Sequence, residues 1–258
     1  MNWIRATLGG APRQPDSTSI DPAAAKAIAA NLPVFSRLDA DRQTRLLSSA
    51  GRFMRTKEFV GRDGMQVTDE MRAVVSAAAC MLLLGMPDDS GYRRVSTVAI
   101  HRGSFSEAVE TYGPEGERYV VHNWAAGKAW SLGFVELAWD SVLYSINPRQ
   151  RGFNVIYHEF AHALDAADGD MGGMPPLPSW SRERAWRETM QRSFDRLANE
   201  TSIGRRTPLS AYGATSLVEF FPVATEAFFE RPTPLAGWDA GLFEILREYY
   251  GQDPREYE

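Results

Sequence analysis

The sequence HEFAH at residues 158–162 is the most informative stretch of this chain. Residues four apart on a helix lie one above the other on the same face, so His158 and His162 can reach one tetrahedral metal ion. Glu159 is the next residue and points to a different side of the helix, so its carboxylate can act on a metal-bound water molecule instead of on the metal. The pattern predicts a catalytic zinc site with two histidine ligands and Glu159 as the general base.

The flanking residues favour a buried helix. Residues 153–164 read FNVIYHEFAHAL and are apolar on nearly every side of a helix, which is typical of a helix inside a protein core. The alternative is a surface helix that carries two histidines by chance, and these flanks argue against it. Because an unpaired buried charge is costly, the histidines and the glutamate need partners. Zinc would supply one.

Composition limits the possible function classes. The chain has 258 residues, of which 44% are hydrophobic, enough to bury a substantial core. Its net charge is −5 without a run of like charges, so we expect no direct nucleic-acid partner and no binding to an anionic membrane. Cys80 is the only cysteine, which excludes an intrachain disulfide and a thiolate-rich metal site. His, Asp and Glu must therefore hold any metal ion.

The segments at residues 1–15 and 73–85 bear on localisation. The first has no apolar run long enough for a signal peptide, and the second is the longest apolar run but is too short to cross a bilayer. We therefore expect a cytoplasmic protein in which residues 73–85 form a core helix.

The domain organisation follows from changes in composition. Residues 1–20 are rich in Gly, Pro and Ser and predict a flexible tail. Residues 21–258 predict a single domain with three parts: helices at 21–90, a sheet and the zinc helix at 91–170, and C-terminal helices at 180–250. In the first part, capping residues predict three helices. They run from Asp21 to Asn31, from Asp39 to about Arg55, and from Thr68 or Asp69 to Gly85.

The middle of the chain predicts strands, the zinc helix and a loop. Strand-like patterns occur at 95–100, 118–122 and 133–139. The pair Asn147-Pro148 is a helix start signal, and residues 168–170 are a stop signal. Three prolines and two glycines make residues 171–179 a loop. The pattern then predicts helices at 181–198, 216–229 and 235–249.

A third metal ligand is needed, because a catalytic zinc ion has three protein ligands and a water molecule. One form of the motif takes its third ligand six residues after the second histidine, through a turn at a glycine. In this chain the ligand position is Asp168 and the glycine position is Asp165. An aspartate in place of the glycine leaves the chain helical, which disfavours this route to a third ligand. Asp165 follows the metal face of the helix one turn on. It either accepts a hydrogen bond from a ligand histidine or ends the helix by bonding locally or facing solvent.

Two downstream glutamates offer another route. Glu219 and Glu226 lie seven residues apart, hence on one helix face, in apolar surroundings, where a glutamate without a partner is rare. Glu219 is either the third ligand or half of a capping box with Ser216. Glu226 is better explained as the hydrogen-bond partner of a metal ligand, or as one half of an ion pair in the core, than as a metal ligand itself. Tyr212 either turns its hydroxyl into the cleft as an oxyanion donor or packs on its loop.

Three segments resemble the Mlc titration factor A family of zinc peptidases. They read HEFAHALD at 158–165, SAYGATSLVEFFPVATEAFF at 210–229 and RLLSSAGRFMRT at 45–56. The likeness covers about residues 34–254. The chain is also similar to the metallopeptidase domain of anthrax lethal factor, but only around the zinc helix and the segment from Tyr212 to Glu219.

The resemblance carries expectations for the site and the fold. It implies that His158, His162 and Glu219 bind Zn²⁺, that Glu159 is the base and that Tyr212 is the oxyanion donor. It also implies an α+β, zincin-like fold, in which a small mixed sheet and an active-site helix are joined by a largely helical remainder. One departure is Pro222, where a proline is expected to kink the helix.

The resemblance and the motif together predict a zinc-dependent peptidase. The resemblance further implies aminopeptidase-type activity on small peptides and a location in the bacterial cytosol. The alternative is a regulatory protein that binds a transcriptional repressor, the glucose repressor Mlc in the family, with zinc in a structural role or with peptidase activity secondary to binding. Zinc chemistry on a non-peptide amide stays open. The strand at 133–139 is the expected edge that pairs with an extended substrate. Its acid, Glu136, either meets the substrate amino terminus or is solvated.

Overall fold

The computed structural model describes residues 20–87, 90–103, 105–112, 118–125, 127–130, 133–147 and 152–258. The predicted tail falls outside these residues except for Ile20. The helices are α1 (Pro22–Asn31), α2 (Ala40–Thr56), α3 (Asp69–Leu83), α4 (Trp139–Ser145), α5 (Val155–Asp165), α6 (Trp180–Ser202), α7 (Leu217–Glu230), α8 (Pro232–Trp238) and α9 (Ala240–Tyr250). The strands are β1 (Glu58–Gly61), β2 (Thr97–His101), β3 (Phe105–Tyr112), β4 (Arg118–Ala125), β5 (Gly127–Trp130) and β6 (Phe134–Ala138). The protein is therefore mostly helical with a small sheet, as an α+β fold requires.

The first three helices begin where the sequence predicts. The side chain of Asp21 accepts from the Ala23 backbone N–H at 2.8 Å, and Asp39 caps α2 in the same way. Thr68 is the cap of α3, so the choice between Thr68 and Asp69 is settled. The long apolar run forms the buried helix α3 that was expected. Among the described residues, no helix has both the length and the apolar character needed to cross a bilayer.

The sheet is mixed and has the strand order β1-β2-β6-β5. β1, β2 and β6 run parallel to one another, and β5 is antiparallel to β6. The predicted strands correspond to β2, β4 and β6, but β4 pairs with β3 in a separate antiparallel ribbon. β1, β3 and β5 were not predicted. β1 and β5 have only four residues each, too few to show an alternating pattern, whereas β3 has eight.

The expected substrate-binding edge at residues 133–139 is wrong. β6 fills that position, and it is bonded to β2 on one side and to β5 on the other. Its backbone is therefore already paired along both sides. In the described sheet the edge next to β6 is β5, which lies against α5.

The helix with the HEFAH stretch begins later than predicted. Asn147 and Pro148 do not start it; Pro148 lies outside the described residues, and α5 begins at Val155. Asn154 is the actual cap, since its side chain accepts from the backbone N–H groups of Ile156 and Tyr157. Every residue of α5 is buried, and the helix packs between α3, α7 and the sheet. Its end at Asp165, before a turn at Gly169, agrees with the predicted stop.

The C-terminal helices form the other side of the core. The single helix predicted at 235–249 is two helices, because the extended backbone at Asp239 ends α8 and its side chain caps α9. Residues 171–179 contain no helix or strand, as predicted. α7 continues through the buried Pro222 to Glu230. The expected kink at Pro222 stays a prediction, but the helix is not interrupted there, so Glu219 and Glu226 share one continuous element.

Candidate metal centre

The two histidines of α5 and one glutamate of α7 converge at one point. His158 Nε2 lies 3.2 Å from Glu219 Oε2, and His162 Nε2 lies 3.4 Å from the same oxygen. One ligand atom from each of the three residues falls within 4.8 Å of the others. Elsewhere in the described part of the chain, no group of three His, Cys, Asp or Glu residues meets this condition. Two imidazole nitrogens and a carboxylate oxygen are a donor set that zinc accepts.

The local structure of α7 explains how Glu219 reaches the histidines. Ser216 caps the helix, with its Oγ accepting from the Glu219 backbone N–H at 3.2 Å. This contact is one half of the predicted capping box. The other half is absent, since the Glu219 carboxylate lies at the histidines instead of at the Ser216 N–H. Capping by Ser216 and a metal-facing Glu219 are therefore compatible.

Glu226 lies on the other side of the His158 ring. Its Oε1 is 2.8 Å from His158 Nδ1, and its Oε2 accepts from the Asn154 backbone N–H at 2.5 Å. Glu226 thus contacts a candidate ligand without joining the three donor atoms, one of the positions predicted for it. A carboxylate on Nδ1 fixes the ring orientation and leaves Nε2 directed at Glu219.

Glu159 and Tyr212 border the same cluster. Glu159 is buried next to His158 in α5. Tyr212 lies in a 3₁₀ helix, Ala211–Ala214, with its ring centroid 5.9 Å from that of His158 and with 53% of the residue exposed. Partial burial and the negative charges of Glu219 and Glu159 raise the pKa of Tyr212 to about 12. The hydroxyl therefore stays protonated at neutral pH and can donate a hydrogen bond.

The electrostatics of the cluster favour positive charge between the rings. Burial lowers the pKa of His158, but hydrogen bonding to Glu219 and Glu226 outweighs burial and raises that pKa to about 10. Burial raises the pKa of Glu219, yet the two histidines reverse this effect and hold that pKa well below its ordinary value. Burial and the neighbouring His158 lower the pKa of His162. A cation at Nε2 of His158 is thus stabilised by carboxylates on both sides.

Asp165 has a role that the sequence did not predict. It is fully buried, and its Oδ2 accepts from the Gly173 backbone N–H at 2.8 Å. It neither faces solvent nor bonds to His162, whose Nδ1 has no hydrogen-bond partner among the described residues. Asp165 therefore anchors the 171–179 loop to the end of α5. Asp168 is not in the cluster either; its Oδ1 accepts from the Asp170 N–H.

Two further placements bear on the predictions. Glu136 lies beside His101 of β2, at 3.5 Å between Oε1 and Nε2, so the expected solvated side chain is wrong. Its role at a substrate amino terminus stays a prediction. Sequence reasoning missed Asn154, which also donates from Nδ2 to Glu230 at 2.9 Å. An asparagine immediately before an apolar helical run is a cap signal and was available to find it.

Comparison with protein families agrees with this geometry. Residues 10–251 match the model of a family described as glucose-regulated metallo-peptidase M90. The match spans nearly the whole chain, including both segments that supply the cluster.

Several bacterial proteins are similar over most of the chain. An uncharacterized protein of Synechocystis sp. is 33% identical over 227 residues, which cover 86% of this chain and 81% of that protein. Proteins named Mlc titration factor A are 28% identical in Escherichia fergusonii and 29% identical in Klebsiella pneumoniae strain 342. In both cases the alignment covers 86% of this chain and 84% of the relative.

Proposed function

The chain belongs to the glucose-regulated metallo-peptidase M90 family, and we propose on this basis that it is a zinc-dependent peptidase. The convergence of His158, His162 and Glu219 within 4.8 Å is the observation that carries the proposal. A mixed sheet whose antiparallel strand β5 lies beside α5 supports a zincin-like arrangement.

The donor set fits zinc in number and kind. His158 and His162 would bind through Nε2 and Glu219 through a carboxylate oxygen, which leaves a fourth position for water. The contact between His158 Nδ1 and Glu226 supports this assignment, because ligand histidines ordinarily donate their second N–H to an acceptor. When bound, zinc would lower the pKa of a water molecule and polarise the scissile carbonyl.

Two side chains would carry the proton transfers and the charge stabilisation. Glu159 would accept a proton from the attacking water and pass it to the leaving amine. Tyr212, protonated at neutral pH, would donate a hydrogen bond to the carbonyl oxygen as negative charge develops on it. The exposure of Tyr212 lets its ring adjust to a bound substrate.

We place an extended peptide substrate along β5. That strand is the edge of the described sheet on the side of α5, and an edge strand can pair with an extended peptide through backbone hydrogen bonds. Aminopeptidase-type cleavage and a cytoplasmic location are proposed from the resemblance to the Mlc titration factor A family. Parallel assays on peptides with free and with acetylated amino termini would test the first of these.

The decisive experiment compares the wild type with Glu159→Gln. Both proteins are measured for bound zinc by mass spectrometry and for hydrolysis of amino-acid anilides and peptides, with and without a chelator. We expect equal zinc content, chelator-sensitive hydrolysis by the wild type and none by the variant. Hydrolysis by Glu159→Gln at the wild-type rate refutes the general-base role, and a wild type without zinc refutes the metal assignment.

A regulatory function is the second candidate, supported by the name of the relatives. Mlc titration factor A is the printed name of proteins aligned over 86% of this chain, and that name links those proteins to Mlc. The test is binding of a purified Mlc-type repressor to the wild type and to Glu159→Gln. Binding by both, with no hydrolysis of any peptide by the wild type, favours regulation over catalysis.

A further inference from the structure

A cavity of about 750 Å³ lies on the far side of α5 from the candidate metal centre. Leu164 and Ala167 line it, and Leu164 is turned roughly 200° around the helix from His162. None of the three candidate ligands, nor Glu159 or Tyr212, is among the lining residues. Its volume is in the range of small-molecule sites, about 300–1,000 Å³. The cavity is therefore a separate candidate site.

The inner wall of the cavity is apolar. Leu164 of α5 and Trp186 of α6 are almost completely buried, and Ile245 of α9 and Leu177 of the 171–179 loop close the sides. The Trp186 N–H is already satisfied by the Gly173 carbonyl at 3.1 Å. This wall therefore offers contact for a hydrocarbon or an aromatic group but little for a sugar.

The rim carries excess positive charge. Three arginines and one glutamate are among the described lining residues, and the glutamate, Glu248, is paired with Arg182. The other two, Arg93 and Arg94, are exposed. Within the described part of the chain neither Arg93 nor Arg94 has an ion pair, and the one hydrogen bond of the Arg94 guanidinium is to the Asp168 carbonyl, at 3.5 Å. Guanidinium groups without a carboxylate partner are suited to bind one from a ligand.

A polar group also lines the apolar part. Tyr249 borders the cavity, and its hydroxyl has no hydrogen-bond partner among the described residues. Burial raises the pKa of Tyr249 far above its ordinary value, so the hydroxyl remains a donor. Tyr249 is partly buried, so a ligand in the cavity can accept a hydrogen bond from this hydroxyl.

We propose that this cavity binds a carboxylate with an apolar tail, the carboxylate between Arg93 and Arg94 and the tail against Leu164, Trp186 and Ile245. The charge at the rim selects the anion, and the wall selects the tail. This site stands independently of the proposed peptidase function, because it shares no residue with the metal cluster.

The test is calorimetric titration of the full chain with octanoate and, as a neutral match, with 1-octanol. Zinc-loaded and metal-free protein are both titrated, so that a carboxylate bound through zinc is recognised. We expect one site for octanoate in both forms and binding of octanol at least about tenfold weaker, because charge-assisted hydrogen bonds are lost. Equal binding of the two probes, or octanoate binding only with zinc, overturns the proposal, and so does no binding of any carboxylate.

Variants locate the site. The double substitution R93Q/R94Q changes two exposed side chains, so we expect the fold to be kept, with an unfolding curve like that of the wild type, and octanoate affinity to fall by about tenfold or more. R184Q is the matched control, because Arg184 lies on α6, pairs with the exposed Glu188 and does not line the cavity. Unchanged affinity in R93Q/R94Q, or an equal loss in R184Q, contradicts the proposed site.

A final arm distinguishes two sources of such a carboxylate. N-acetyl-leucyl-leucine and its C-terminal amide are titrated into Glu159→Gln, which should not hydrolyse them. Binding of the acid but not the amide, together with octanoate binding, supports the site and extends it to peptide carboxyl termini. Binding of octanoate without the peptide supports the site and restricts it to fatty or aromatic acids.

Discussion

The substitution Glu226→Gln tests how the second side of a ligand histidine is held. In the structure one oxygen of Glu226 lies 2.8 Å from His158 Nδ1 and the other accepts from the Asn154 N–H at 2.5 Å. Both partners are donors, whereas glutamine has one acceptor oxygen and one NH₂ group. The variant can therefore satisfy only one of the two. Either His158 loses its fixed orientation, or the N-terminus of α5 loses a buried hydrogen bond.

The expected magnitudes follow from these two contacts. Loss of a hydrogen-bond partner of a metal ligand costs about 10- to 100-fold in metal affinity, equivalent to about 1.4–2.7 kcal/mol. A buried donor left without an acceptor costs about 1–3 kcal/mol of folding stability. Because the glutamine oxygen can keep only one of the two contacts, we expect either the zinc affinity or the free energy of unfolding to fall by its stated amount.

The assay is a competitive zinc titration against a chromophoric chelator, with urea unfolding of the metal-free proteins alongside. Glu230→Gln is the matched control, because Glu230 lies one turn further along α7 and accepts from the Asn154 side chain. We expect its zinc affinity to be close to that of the wild type. Wild-type zinc affinity together with wild-type stability in Glu226→Gln would refute the reasoning that the two oxygens of Glu226 hold His158 and the start of α5.

Three further substitutions probe the site and its support. Tyr212→Phe should lower kcat for peptides by about 100- to 1,000-fold without changing bound zinc; a kcat within a factor of about two of wild type would remove Tyr212 from the oxyanion role. Burial raises the pKa of Asp165 to about 6, so the folded state holds a proton that the unfolded state has released, and stability is lost as pH rises from about 4 to about 6. In urea unfolding of the metal-free proteins, the free energy of unfolding of Asp165→Asn should therefore rise by about 1–3 kcal/mol relative to that of the wild type between these two pH values. A difference between the two proteins that does not change with pH would show that Asp165 does not lose its proton in this interval in the way proposed. Gly173 has φ +77°, and an added Cβ would lie 2.4 Å from the Leu217 carbonyl oxygen, whereas Gly204 has φ +67° and open space. Gly173→Ala should cost more stability than Gly204→Ala, which is expected to cost about 1 kcal/mol, and equal losses would argue against tight contact between loop and helix.

Local signals predicted where α1, α2, α3 and α7 begin, because capping is a local interaction. Asp21, Asp39, Thr68 and Ser216 each lie two or three residues from the N–H group that they accept from. Asn154 shows where this reasoning fails. Its backbone N–H and its side chain are also held by Glu226 and Glu230, 72 and 76 residues away, and no local pattern contains such contacts.

Strand assignment depends on partners as well. β1 has four residues and is defined by its pairing with β2, nearly forty positions further on. β6 has the apolar pattern that predicts a strand, but only its pairing with both β2 and β5 shows that it is interior and not an edge.

The candidate metal centre also has one part that local sequence predicts and another that depends on how the helices pack. The spacing of His158 and His162 is a local property of one helix and is visible in the sequence. Glu219 reaches them only because α5 packs against α7, so its side chain could be assigned from sequence either to a cap or to the metal. The contact between Asp165 and Gly173 depends on how the 171–179 loop folds back, which its prolines and glycines do not specify.

The most direct test of the metal centre is anomalous diffraction at the zinc absorption edge from crystals grown with zinc. We expect one strong peak bonded to His158 Nε2, His162 Nε2 and the Glu219 carboxylate, with Glu226 still on His158 Nδ1. A map with no peak among these three residues, or with the ion bound elsewhere, would contradict the assignment of the cluster as the catalytic metal site.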